Sequence, residues 1–227
     1  MRRLHLFILL FVTCSLLFHA PLPEASAAAG DITAVKTQSE GNNLEHDTDG
    51  GTYNSIVQVD SDTYAVAHGN QQDDDGFIST FTISSDGTTI TEVGSLEHDT
   101  DKGFWNSLVQ VDSDTYALAY QGAGDDGFIA TFTISSDGTT ITEVDSLEHD
   151  TGKGSHNSLV QVDSDTYALA YAGTDDDDGF ISTFTIDSDG TITAVKTQSE
   201  GNNLEHDTDT GIRNSLVQVD SDTYALA

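Results

Sequence analysis

The stretch TYNSIVQVDSDTYAVA (Thr52–Ala67) returns as FWNSLVQVDSDTYALA (Phe104–Ala119), SHNSLVQVDSDTYALA (Ser155–Ala170) and IRNSLVQVDSDTYALA (Ile212–Ala227). The equivalent asparagines, Asn54, Asn106, Asn157 and Asn214, lie 52, 51 and 57 residues apart. Such a period restricts the chain to architectures that stack one supersecondary unit on the next. Within this near-identity the pair ahead of each Asn varies: Thr-Tyr, Phe-Trp, Ser-His and Ile-Arg.

Each unit reads as four short strands. NSLVQV comes first, then a DSD turn, then TYALAY. A Gly/Asp-rich loop leads into GFISTFTI, a SSDGT turn and TITEV. The runs are rich in Val, Ile, Thr, Tyr and Phe, and the Asp-Gly pair is a hairpin signal. Alternation places Phe77, Phe81 and Ile83 on one face, with Ile78, Thr80 and Thr82 on the other. In TYALAY the face opposite Tyr116, Leu118 and Tyr120 carries only Ala117 and Ala119, small enough for a crowded inner site. No stretch shows comparable helical periodicity.

Four antiparallel strands per unit in tandem resemble the blades of a β-propeller, and the resemblance covers residues 31–227. The expected fold is therefore all-β, a propeller of four-stranded antiparallel blades, with a stacked β-solenoid or sandwich array as the alternative. NSLVQVDSDTYALAY followed by SSDGTT is similar to the strand pair and Asp-containing turn of sialidase-type blades. Their Asp-box has a residue between Asp and Gly and an aromatic after Thr; here Asp86 and Gly87 are adjacent and Ile90 stands near the aromatic's place. Pairs such as His98 and Asp112 resemble the His-to-Asp pairing of WD40 blades, without the Trp-Asp ending. Residues 31–43 supply a lone strand, three repeats span 44–203, and 204–227 begin another. The run Ile192–Asp209 also repeats Ile32–Asp49, which leads us to expect a longer array, of two three-blade blocks.

At the N-terminus Arg2 and Arg3 precede an apolar run from Leu4 to Phe18, and Ala25-Ser26-Ala27 offers a cleavage site. This is a secretory signal over residues 1–27, with a short linker at 28–30. The expected destination is the extracellular space or cell surface, with the periplasm as the other exported compartment, and no transmembrane segment after cleavage. Cys14, the one cysteine, lies in the signal, so disulfides do not stabilise the mature chain. Removing Arg2, Arg3 and Glu24 from 7 basic and 39 acidic residues leaves 5 against 38. That surface repels phosphate backbones and excludes nucleic acid as a partner.

An up-and-down blade puts the DSD and SSDGT turns at one end and the variable elements at the other. The latter are the loops HGNQQDDDGF, YQGAGDDGF and YAGTDDDDGF and the pairs ahead of Asn. Drift at exposed loops accounts for such variation. So does a ligand-facing rim, in which Tyr53, Trp105, His156 and Arg213 are the candidate contacts for a glycan or a protein surface.

LEHDT recurs with His46, His98, His149 and His206. These histidines are expected to be structural, hydrogen-bonded to turn aspartates of the set Asp60, Asp112, Asp163 and Asp220. Glu45, Asp47 and Asp49 imitate the start of a calcium loop. The runs Asp73, Asp74, Asp75 and Asp175, Asp176, Asp177, Asp178, with the shorter Asp125–Asp126, could also offer oxygens to Ca2+, or simply be solvated loops. Sialidase-type chemistry is disfavoured: the resemblance implies three arginines around a substrate carboxylate, and Arg213 is the only one after cleavage. No Gly-x-Ser-x-Gly elbow is present. The sequence thus points to a secreted, acidic, non-catalytic binding module. The alternatives are a structural or adhesive cell-surface repeat and a divergent polysaccharide hydrolase or lyase.

Overall fold

The computed structural model describes residues 35–37, 43–173, 177–198 and 200–227. The expected signal region, residues 1–27, lies outside them. Residues Val35–Ala227 form one compact unit, built of three four-stranded antiparallel blades and a terminal hairpin. Blade I contains β1 (Gly51–Gln58), β2 (Thr63–Asn70), β3 (Gly76–Ile83) and β4 (Ile90–Asp99). Blade II contains β5 (Phe104–Gln110), β6 (Thr115–Gln121), β7 (Gly127–Ile134) and β8 (Ile141–Asp150). Blade III contains β9 (Ser155–Gln161), β10 (Thr166–Ala172), β11 (Gly179–Ile186) and β12 (Ile192–Lys196), with β13 (Leu204–Asp207) also pairing β11. The hairpin is β14 (Leu216–Asp220) and β15 (Thr223–Leu226). Strands follow one another in meander order within each blade, the arrangement of a β-propeller. Among the described residues no helix is long and apolar enough to cross a membrane.

The fourth strand is longer than TITEV. In blades I and II it runs on through the LEHD motif, so that Leu96 pairs Ile78 and Leu147 pairs Ile129. In blade III the longer linking sequence splits this strand into β12 and β13. LEHD therefore closes one blade rather than opening the next.

Packing between blades follows the alternation. Tyr116, Leu118, Phe132 and Ile134 of blade II pack onto Ala65, Ala67 and Ile78 of blade I. The same bulky set in blade III (Leu159, Tyr167, Leu169, Tyr171, Phe184, Ile186) packs onto Ala117, Ala119 and Ile129 of blade II. The alanines are fully buried because a large side chain from the next blade sits on each. Polar pins fix the register: the N–H groups of Leu108, Leu159 and Leu216 each donate to the hydroxyl of Ser55, Ser107 or Ser158 one blade back, at 2.9 Å. At the opposite end Thr80 and Thr131 donate to the carbonyls of Gly138 and Gly190 in the next blade at 2.6 Å. Those glycines have φ of 72° and 87°, the left-handed turn position an Asp-Gly hairpin requires.

Candidate axial binding site

The variable pair sits on a β-bulge. In β1, Thr52 pairs Gly69 and Ser55 pairs Ala67, so Tyr53 and Asn54 together oppose the single residue His68. Trp105 and Asn106 oppose Tyr120 in the same way, and His156 and Asn157 oppose Tyr171. A bulge of this type puts its first residue in the left-handed region, where glycine is the undemanding choice. Here that residue is Tyr53 (φ 53°), Trp105 (φ 55°), His156 (φ 56°) and, ahead of the hairpin, Arg213 (φ 62°). For such side chains the conformation costs about 1–2 kcal/mol each.

The bulge aims these side chains at one another. Tyr53 and Trp105 approach to 4.2 Å between ring centroids, and Trp105 and His156 to 3.7 Å, both tilted. Phe104, the other member of its variable pair, lies 4.9 Å from Tyr53. Together with Arg213 and the four asparagines, these residues line a cleft of about 270 Å³.

The asparagine after each bulge residue explains its own invariance. Asn106, Asn157 and Asn214 donate through Nδ2 to the carbonyls of Gly103, Gly154 and Gly211, three residues back, at 2.9, 3.0 and 2.8 Å. Asn157 and Asn214 also donate to the carbonyls of Trp105 and His156 in the preceding blade. These bonds use the NH2 end only. The Oδ1 atoms of Asn106 and Asn157 are buried and have no hydrogen-bond partner among the described residues. The cleft thus offers aromatic faces and one guanidinium. Burial lowers the pKa of His156, which keeps the ring neutral near pH 7.

The remaining sequence candidates fall elsewhere. His98 and His149 do not hydrogen-bond the turn aspartates: both nitrogens of each ring are buried without a partner. Asp60, Asp112, Asp163 and Asp220 sit at the DSD turns instead, accepting the next serine's N–H at 2.6–2.7 Å. The histidines cover a crossing of two glycine backbones. A Cβ on Gly103 would lie 2.0 Å from Gly76 Cα, and one on Gly76 would lie 2.5 Å from the His98 ring. Gly154, Gly127 and His149 repeat the arrangement, as do Gly211, Gly179 and His206, while His46 covers Gly51. Each buried ring also packs edge-on to a tyrosine, His98 to Tyr120 at 4.6 Å and His149 to Tyr171 at 4.7 Å. Burial holds both imidazoles at about 3. A flat ring fits the slot above two glycines; the sequence shows the histidine but not the crossing beneath it.

The acidic candidates do not converge. Among the described residues no group of three His, Cys, Asp or Glu side chains is placed to hold a metal ion, and Asp175 and Asp176 lie outside the described residues. Asp47 spends Oδ1 on the Asp49 N–H at 2.7 Å, and Glu45 and Asp49 are exposed. Asp73 is exposed, and the Asp75 carbonyl accepts the Asn70 N–H. Asp74 and Asp177 adopt φ of 67° and 69°, and their carbonyls accept the N–H groups of Gly103 and Gly211. Asp125, also left-handed, pairs with Lys102 and accepts the Gly154 N–H, while Asp177 pairs with Lys153. The Asp178 carbonyl accepts the Gly173 N–H. These loops latch onto the link to the next blade.

One cluster escaped the sequence reading. His68 replaces the tyrosine of the other copies, and it joins Asp47 (3.4 Å from Nδ1) to Ser79 (3.3 Å from Nε2) and through it to Ser95. In blade III Tyr171 meets Ser182 at the same place, at 3.5 Å. The cluster is a polar variant of an inter-strand contact, and its signal was the single Tyr-to-His departure between copies.

No protein-family model and no curated protein sequence matches the chain. Among solved structures it is similar to a candidate 6-phosphogluconolactonase from Bacteroides fragilis, with a TM-score of 0.53 at 12% identity over 79% of this chain and 42% of that one. It is also similar to the NanB sialidase of Streptococcus pneumoniae, with a TM-score of 0.53 at 10% identity over 75% of this chain and 26% of that one. The chain thus spans less than half the length of either. Both are propeller folds, and at these identities the likeness concerns fold alone.

Proposed function

We propose that this protein is a non-catalytic binding module whose axial cleft takes a carbohydrate. The observation that carries this reading is the bulge. Four copies place Tyr53, Trp105, His156 and Arg213 in a left-handed conformation that glycine would adopt freely, and none of the four uses glycine. Stability alone would select against those side chains. The aromatic faces suit the C–H faces of a sugar ring, and the Arg213 guanidinium suits its hydroxyl oxygens. At about 270 Å³ the cleft lies at the small end of ligand sites, which run to roughly 300–1,000 Å³.

Binding is favoured over hydrolysis by the lining. Glycoside hydrolysis in most families uses a pair of carboxylates flanking the bond. The residues around this cleft are Tyr53, Trp105, His156, Arg213 and the four asparagines, with no carboxylate among them. The signal sequence supports export, where extracellular glycans are met. A glycan array followed by calorimetry tests the proposal: binding that weakens at least tenfold in Trp105→Ala and Tyr53→Ala supports it. Turnover of a polysaccharide, with cleft variants unimpaired, would refute it.

A further inference from the structure

We infer that His156 is an acid-opened gate on the axial cleft: stacked on Trp105 it covers an indole face that a ligand would use, and on protonation it swings away. The inference rests on the cleft being the binding site and names how that site is controlled.

The indole meets rings from both neighbouring blades. Tyr53 of blade I lies 4.2 Å from Trp105 between centroids, and His156 of blade III lies 3.7 Å away. The two covers are held differently. Tyr53 also packs on Phe104 at 4.9 Å. Among the described residues the His156 ring has Trp105 as its only ring contact and makes no hydrogen bond. A sugar ring that lies on the indole has to displace one of the two, and His156 is the less secured.

Protonation acts on this stack with a definite sign. The charged groups facing the imidazole are Lys153 on the link into blade III, Asp177 on the loop between β10 and β11, and Arg213 ahead of the hairpin. In the stacked position burial is the largest influence and disfavours the charged ring. Lys153 and Arg213 repel that charge as well, while Asp177 favours it. Asp177 is itself paired with Lys153, which blunts its pull. A ring turned out into water escapes the burial and takes up a proton at about pH 6.5. The proton thus binds the turned-out ring more tightly than the stacked one, and by linkage acid shifts the population toward the open cleft. Above about pH 6.5 the ring is neutral in both positions and the stack stays shut. A ligand on the uncovered indole must in turn raise the His156 pKa.

Acrylamide quenching of Trp105 emission tests the gate without a ligand, because Trp105 is the only tryptophan. The measurement runs from about pH 7.5 to about pH 5 in about 1 M salt, which screens the chain's self-repulsion, with far-UV circular dichroism verifying the fold. At the upper pH, His156→Ala should be quenched about twofold more steeply than wild type, and His156→Phe should not. On acidification wild type should approach the Ala variant, while both variants keep their values. Wild-type quenching that stays constant in acid would overturn the inference. So would quenching that falls, because imidazolium–indole attraction then tightens the stack, or that rises equally in His156→Phe. Failure of the binding reading looks different: no glycan on an array would bind His156→Ala, whose cleft is open at every pH.

Discussion

At the residue scale two kinds of buried or strained side chain set testable behaviour. His98 and His149 have folded-state pKa values of about 3, against about 6.5 in the unfolded chain. Above pH 6.5 both states carry neutral rings and the packing over the glycine crossing contributes in full. As pH falls from 6.5 toward 3 the unfolded chain takes up protons the folded chain refuses, so stability drops, by on the order of 1 kcal/mol per pH unit for each ring. Asp86 adds a later loss: held at about 2 chiefly by the Thr88 N–H, its contribution disappears only below pH 4. Chemical denaturation between pH 7 and 4 should show the histidine slope, and replacing both rings by Phe should flatten it. The bulge residues make the opposite prediction. Arg213→Gly relieves the left-handed strain of an exposed side chain, so stability should rise by up to about 1 kcal/mol in urea melts while ligand affinity falls.

At the scale of the strand and the blade, the crossings dominate. A methyl group on Gly154 would stand 2.1 Å from Gly127 Cα, with backbone on both sides and no flexible atom to yield. Gly154→Ala should therefore cost about 3 kcal/mol or more, whereas Gly201→Ala, left-handed but with nothing within 4 Å of the added methyl, should cost about 1 kcal/mol. Thermal melts of the two variants compare them directly. The same scale shows what the sequence could and could not convey. GFISTFTI is β3 residue for residue, and the Ala-only face of TYALAY was readable as a crowded junction because alternation is a property of a single strand. LEHD as the end of the fourth strand was not readable, since its partners lie in GFIS and its Gly-rich neighbours imitate a loop. The expected His–Asp hydrogen bond failed for a related reason: spacing along the chain did not reveal that LEHD and DSD end up at opposite ends of the sheet. The rim residues were legible as variable positions, but their bulge, left-handed backbone and mutual stacking arise only when β1 pairs β2.

For the whole molecule, charge and the shared axis matter most. A formal −32 spread over exposed turns and loops destabilises the compact state by self-repulsion, so added salt should raise the melting temperature well beyond the effect seen for a near-neutral protein. The blades bring four positions, 51–57 residues apart along the chain, into one cleft, and the repeat thereby converts a single variable residue per copy into a composite surface. Trp105 is the only tryptophan of the chain and stands in that cleft between Tyr53 and His156. Its fluorescence therefore reports on the proposed site and on nowhere else. The most direct measurement is a titration of the protein with the glycans that score on an array, read by Trp105 emission. A saturable change that matches the calorimetric Kd and weakens at least tenfold in Tyr53→Ala would be the predicted result; calorimetric binding with Trp105 emission unchanged would place the ligand elsewhere and contradict the axial site.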